Sequence, residues 1–185
     1  MRIGRMLGTS SALALLVTLA VQAPARADDA LADGGFFEIY SYAHADKRMA
    51  VNGGQTQNGA KIIQYHILNT PDATRPITDQ SWILRKNGDY WNIQNDKSGK
   101  VVAIPNGRTD AGAGAIQYDR TASLWDQQWE FLSYANHHGW MLKNRKSGLC
   151  LAVPGSSGND GVQLIQYGCH KEYDDQWWWV DRFYP

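Results

Sequence analysis

The chain has 185 residues, with 18 Lys and Arg against 18 Asp and Glu and a formal net charge of zero. It carries no cluster of basic residues that could follow a phosphate backbone, which excludes nucleic acid as the expected partner. Eight Trp and nine Tyr, with only 19% charged residues, describe a folded, aromatic-rich chain and exclude a disordered one.

At the N-terminus, Arg2 and Arg5 precede an uncharged apolar run over 6–21, and Pro24-Ala25-Arg26-Ala27 supplies a small-x-small cleavage pattern. This predicts an export signal cleaved after Ala27, and hence a secreted protein. The run is too short to read as a bilayer span of roughly 20 residues. The expected layout is a signal peptide over 1–27, a flexible segment over 28–35 and one domain over 36–185. Removing Arg2, Arg5 and Arg26 with the signal leaves 15 of the 18 basic side chains against 18 acids, net −3. About 158 residues then remain, an ordinary size for one domain.

Beyond the signal, Asp-Gln-x-Trp occurs three times: Asp79-Gln80-Ser81-Trp82, Asp126-Gln127-Gln128-Trp129 and Asp175-Gln176-Trp177-Trp178. The glutamines are 47 (127 − 80) and 49 (176 − 127) residues apart. Recurrence at nearly constant spacing means one unit copied three times, with repeats at about 36–84, 90–132 and 139–180.

Each copy predicts four short strands in the same order. The first carries Phe37 and Ile39, then Trp91 and Ile93, then Trp140 and Leu142, alternating with period two. After a polar turn, the second strand is Met49-Ala50-Val51, Val102-Ala103-Ile104 and Leu151-Ala152-Val153. A loop rich in Gly, Asn and Asp supplies the conformations of a tight hairpin. The third strand ends on an identical tripeptide, Ile63-Gln64-Tyr65, Ile116-Gln117-Tyr118 and Ile165-Gln166-Tyr167, and the fourth carries Asp-Gln-x-Trp.

No stretch of eleven residues has helical periodicity, so the class is all-β. Propellers typically need at least four blades. Three copies therefore predict a pseudo-threefold barrel capped by hairpins, a β-trefoil, with Trp82, Trp129 and Trp178 at equivalent core positions.

Cys150 and Cys169, the only cysteines, both fall in the third copy. In an exported chain an even pair reads as a disulfide. A metal site would need further His and Cys at ligand spacing, and neither a metal nor another cofactor is expected. His44, His137 and His138 fall in polar segments and read as solvated.

These motifs resemble the ricin-type (R-type, ricin B-like) β-trefoil lectin domain with its threefold Gln-x-Trp signature, in its secreted bacterial form. The resemblance spans about 36–180 and is tightest in the third copy, where Cys150 and Cys169 fall where the family places its intra-repeat disulfide. It implies one shallow sugar pocket per repeat. An aromatic at the end of the third strand stacks on the sugar, which matches Tyr65, Tyr118 and Tyr167. An amide residue before the signature Gln supplies another contact, and its position falls on Asp79, Asp126 and Asp175, acidic where the family often has Asn. Gln80, Gln127 and Gln176 join the three tryptophans as structural residues.

The chain departs from the family at the second-strand acid, which falls on Ala50, Ala103 and Ala152. A charge-assisted hydrogen bond contributes roughly 1.5–3 kcal/mol, so the family's galactose mode is not the expected one. Asn52, Asn106, His66 and His170 are the neighbouring groups available to a different saccharide, or to a polymer held at several weak sites.

The expectation is a secreted, monomeric, non-enzymatic carbohydrate-binding protein with up to three sites. A protein-binding trefoil is the alternative, for example a secreted protease inhibitor acting through the longer loop 68–78 of the first copy. A small secreted hydrolase is the third reading. The tyrosines and aspartates also fit purely structural roles, as half-buried strand aromatics and as turn residues.

Overall fold

A computed structural model describes residues 31–68, 79–135, 137 and 139–183. The expected signal peptide, His138 and all of the loop 68–78 except Leu68 lie outside the described residues.

The first repeat forms β1 (Phe36–Ser41), β2 (Lys47–Val51), β3 (Ile62–His66) and β4 (Trp82–Asn87). The second forms β5 (Tyr90–Asn95), β6 (Val101–Ala103), β7 (Ile116–Tyr118) and β8 (Trp129–Leu132). The third forms β9 (Trp140–Asn144), β10 (Cys150–Ala152), β11 (Val162–Gln163), β12 (Ile165–Tyr167) and β13 (Trp177–Phe183). The short β11 is an addition to the four strands expected per repeat.

The first and fourth strands of the repeats close a six-stranded barrel. β1 pairs with β4, β4 with β5, β5 with β8, β8 with β9, β9 with β13, and β13 returns to β1, all antiparallel. Closure leaves no free edge in the barrel. In β1 the alternation read from sequence is realised, with Phe37, Ile39 and Ser41 turned inward.

The hairpins β2–β3, β6–β7 and β10–β12 form the cap. They join one another through Lys61↔Ile116, Gly114↔Ile165 and the pairing of β11 with β3. Trp82, Trp129 and Trp178 are fully buried. Each indole Nε1 donates to a second-strand carbonyl of its own repeat: Met49 at 2.9 Å, Val102 at 3.0 Å and Leu151 at 3.2 Å. The β-trefoil expected from the triplet is the fold observed.

The cap has a second threefold device, built on the middle residue of Ile-Gln-Tyr. Gln117 Nε2 of the second repeat donates to the Gln55 and Gln57 carbonyls of the first. Gln166 Nε2 of the third donates to Arg108 and Asp110 of the second. Gln64 Nε2 of the first donates to Ser157 and Asn159 of the third. Each hairpin loop is thus tied by the next copy, and the ring closes on itself.

Three expectations are corrected. The Asp-Gln pairs do not lie in the fourth strand. Asp126-Gln127 and Asp175-Gln176 lie in 3-10 turns, and the strands start at Trp82, Trp129 and Trp177. The reason is the glutamine side chain, which bonds back to the loop after the third strand. Gln127, for example, donates to Asp119 O at 2.9 Å and accepts from Thr121 N at 2.8 Å.

The segment expected to be flexible over 28–35 is tied down in its described part. Leu31 is buried, Gly34 N donates to Leu84 O at 2.8 Å, and Lys86 N donates to Asp33 at 2.9 Å.

The described histidines are engaged instead of free in solvent. His44 Nε2 lies 3.0 Å from Ser156 O, and the His137 ring stacks on Trp177 at 3.9 Å. The disulfide Cys150–Cys169 is present, with Cα atoms 5.1 Å apart.

Candidate functional site

Each repeat forms one cleft between its third strand, the 3-10 turn after its second strand and the approach to its fourth. The first, of about 440 Å³, is lined by Asn52, Gly54, Ile63, Tyr65, Asp79 and Lys97 among others. The second, of about 320 Å³, includes Asn106, Ile116, Tyr118, Leu124, Asp126 and Lys146. The third, of about 630 Å³, includes Ser156, Tyr167, Glu172, Tyr173, Asp174 and Asp175. All three volumes fall within the usual range for small-ligand pockets, roughly 300–1,000 Å³.

The strand and the turn explain why the same residues recur. In the third strand Ile and Tyr are two apart and face one side, while the Gln between them points into the cap. Each Asp fixes its place through its backbone. Its carbonyl accepts from the residue after the second-strand alanine: Val51 N for Asp79, Ile104 N for Asp126 and Val153 N for Asp175. The Asp therefore stands across the cleft from the Tyr. Tyr118 and Tyr167 are 46% and 45% exposed, high for strand aromatics. Tyr65 is half-buried and lies against the His66 ring at 4.4 Å.

The structure thus brings Tyr65 with Asp79, Tyr118 with Asp126, and Tyr167 with Asp175. His170 does not join them. Its backbone N–H donates to Gln176 Oε1 at 2.8 Å, and its ring flanks Tyr173 at 4.6 Å outside the lining. Tyr173 takes the place proposed for it and was not singled out by sequence. His66 is likewise engaged elsewhere, its Nδ1 2.7 Å from Asp160 of the third repeat.

The clefts differ in what the next repeat inserts. Lys97 enters the first and Lys146 the second, each from the turn after the first strand of the following repeat. Each ammonium lies against a glycine in this arrangement, and a side chain there would displace it. A Cβ on Gly54 would stand 2.6 Å from Lys97 Nζ, and a Cβ on Gly107 would overlap Lys146 Nζ. Both glycines also have positive φ, 59° and 61°. In the third cleft the equivalent residue is Ser156, which keeps the left-handed conformation at φ 49° at a cost of about 1–2 kcal/mol. The turn after the first strand of the first repeat has Ala43 where the others have Lys97 and Lys146, and no lysine lines the third cleft. The first two clefts therefore balance one aspartate with one lysine. The third has three carboxylates, and no Lys or Arg lines it.

Burial raises the Asp79 carboxyl above its ordinary range, with partial relief from the Asp79 backbone N–H and from Lys97. Burial raises Asp175 as well, opposed by hydrogen bonds from the Ser156 backbone and hydroxyl. Asp175 Oδ1 is buried without a protein partner. Carboxylates that are partly desolvated and still short of donors are suited to accepting hydrogen bonds from ligand hydroxyls. Among the described residues, no group of three or more His, Cys, Asp or Glu is placed to hold a metal ion, and no helix is long and apolar enough to cross a membrane.

Residues 78–126 and 125–184 match the model of the ricin-type beta-trefoil lectin domain-like family. Among solved structures, the chain is similar to a designed threefold-symmetric protein, ThreeFoil, at 28% identity and a TM-score of 0.70, covering 80% of this chain and 98% of that one. It is similar to an exo-beta-1,3-galactanase from Clostridium thermocellum at 22% identity and a TM-score of 0.70, covering 82% of this chain but 31% of the enzyme. It is similar to the Macrolepiota procera ricin B-like lectin, solved in complex with lactose, at 16% identity and a TM-score of 0.65, covering 82% and 98%. No curated protein sequence matches the chain. At 22% and 16% identity, the last two likenesses speak to the fold alone.

Proposed function

Since the chain belongs to the ricin-type beta-trefoil lectin domain-like family, we propose that it is a secreted, non-enzymatic protein that binds carbohydrate through its three clefts. The observation that carries this reading is the distribution of exposed apolar surface. Every exposed large hydrophobic residue among the described residues lies in or beside a cleft: Ile67 and Leu68 at the first, Tyr118, Leu124 and Trp125 at the second, Tyr167 and Tyr173 at the third. Exposed apolar surface gathered at a few places marks a binding surface.

In this reading each tyrosine ring receives the apolar face of a pyranose, and the facing aspartate accepts hydrogen bonds from its hydroxyls. Ala50, Ala103 and Ala152 stand where the family's acid would supply the strongest polar contact, so single clefts bind weakly. Three clefts on one rigid barrel compensate when the ligand is a polymer or a dense glycan surface, because the second binding event becomes intramolecular. Neutral clefts with a lysine and an acidic third cleft give the protein two kinds of site.

Membership of a lectin domain-like family supports saccharide as the ligand class. The galactanase relative supports only the fold, since the chain spans less than a third of that enzyme. Secretion rests on the basic, apolar and small-x-small pattern over residues 1–27.

A glycan array followed by polysaccharide pull-down at physiological salt tests the reading. Saturable binding that weakens in Tyr118→Ala and in Tyr167→Ala is expected. Absence of saturable binding to any saccharide, or turnover of one, would overturn it.

A further inference from the structure

Trp125 is 52% exposed, more than any other large hydrophobic residue among the described residues. It stands between Leu124 and Asp126, both of which line the second cleft, yet it does not line the cleft itself. Its ring is held from one side. The Arg145 guanidinium lies 4.1 Å from the Trp125 centroid and 4.4 Å from that of Tyr90. Arg145 is itself anchored, with Nη1 donating to Gln128 Oε1 at 2.6 Å and its backbone N–H donating to Gln128 O at 2.8 Å. Gln128 is buried, and the next residue after Arg145 is the cleft lysine, Lys146. A ladder of Tyr90, Arg145 and Trp125 therefore stands at the rim of the cleft.

Symmetry does not account for this ladder. The third repeat has Asp174 in place of Trp125, and the position of Arg145 is occupied by Asp96 in the second repeat and Tyr42 in the first. Nor does core packing account for it, because half the indole remains in water. A tryptophan fixed by a cation on one side is a rigid aromatic surface with little rotamer entropy left to lose on binding.

We infer that Trp125 is a second stacking platform, which takes the next ring of a saccharide chain whose first ring lies on Tyr118. The ligand class of the second cleft is then a linear oligo- or polysaccharide, and in the third repeat Asp174 stands at the position of Trp125. The inference rests on the reading of the clefts as saccharide sites and adds chain length to it.

The test isolates the second cleft in a Tyr65→Ala/Tyr167→Ala background and titrates the purified chain by calorimetry. The probes are glucose, xylose, galactose and N-acetylglucosamine, each beside its tetramer: cellotetraose, xylotetraose, β-1,4-galactotetraose and chitotetraose. In at least one series the tetramer binds about tenfold tighter than the monomer, the size of one aromatic stacking contact. Trp125→Ala removes that advantage without changing monomer affinity or Tm, Trp125→Phe keeps most of it, and Tyr118→Ala abolishes both.

Equal loss for monomer and tetramer in Trp125→Ala, or an unchanged tetramer advantage, would overturn the inference while leaving the saccharide reading intact. So would a fall in Tm as the variant's only effect. Absence of binding by every probe in the parent chain as well would bring down both.

Discussion

The Ser98 hydroxyl donates to Gln117 Oε1 at 2.7 Å, so the glutamine that ties the first repeat's hairpin is itself held by its own repeat. Ser147 and Gln166 repeat the bond at 2.7 Å in the third repeat. In the first repeat the equivalent of the serine is His44, which turns to Ser156 O instead, and Gln64 Oε1 is left buried without a partner. The same exchange that puts His44 beside the third cleft thus weakens the cap at Gln64.

Ser98→Ala leaves Gln117 Oε1 in the state that Gln64 Oε1 already occupies. A buried acceptor without a donor costs about 1–3 kcal/mol, and urea denaturation should show a midpoint lowered accordingly, with the slope unchanged. The same substitution at Ser147 should match it, because the geometry is the same.

Gln127→Ala removes two hydrogen bonds from a buried side chain, to Asp119 O and from Thr121 N. The loss should be about 2 kcal/mol or somewhat more, read by denaturation. Trp129→Ala should cost more, about 3–5 kcal/mol, since it opens a cavity in the shared core.

Asp175→Asn separates stability from binding. The folded-state pKa of Asp175 is raised, chiefly by burial. Its ionised form is therefore disfavoured in the fold, and the stability linked to its protonated form is present below the ordinary aspartate pKa and lost as pH rises through the raised value. The Asn variant should melt higher at pH 7, by about 1–2 °C given the side chain's partial exposure. The gain should vanish near pH 3, where the native Asp is neutral. Saccharide binding at the third cleft should weaken in the variant, and in the native protein as pH falls through the raised pKa. Thermal melts and titrations at the two pH values check both signs.

Reduction of Cys150–Cys169 opens a loop across 19 residues of sequence. The chain-entropy estimate for a loop of that size is about 3 kcal/mol. A melt in reductant should fall by several degrees, and the effect should be absent in a Cys150→Ala/Cys169→Ala variant.

The barrel and cap were legible in the sequence because both rest on patterns local to one copy. Phe37 and Ile39 alternate with outward residues, Ile-Gln-Tyr recurs without change, and Trp follows Gln at fixed spacing. The position of Asp-Gln ahead of the fourth strand was not legible, since it depends on where the glutamine side chain finds backbone groups.

The clefts were half legible. Tyr and Asp were found because they repeat, and because both belong to the copy whose cleft they line. Lys97 and Lys146 were missed because each enters the cleft of the preceding repeat. Tyr173 was missed in favour of His170 because only the turn geometry decides which of two neighbouring rings faces the opening. Trp125 breaks the repeat, so a search for recurrence passes over it.

The most direct measurement of the central claim compares the native chain with a Tyr65→Ala/Tyr118→Ala/Tyr167→Ala variant. Both are titrated with the polysaccharide that the array selects, and both are checked by thermal melt. Binding by the native chain, lost in a variant that melts with the same cooperativity, is the result the three-cleft account predicts. A folded variant that still binds with unchanged affinity would contradict it.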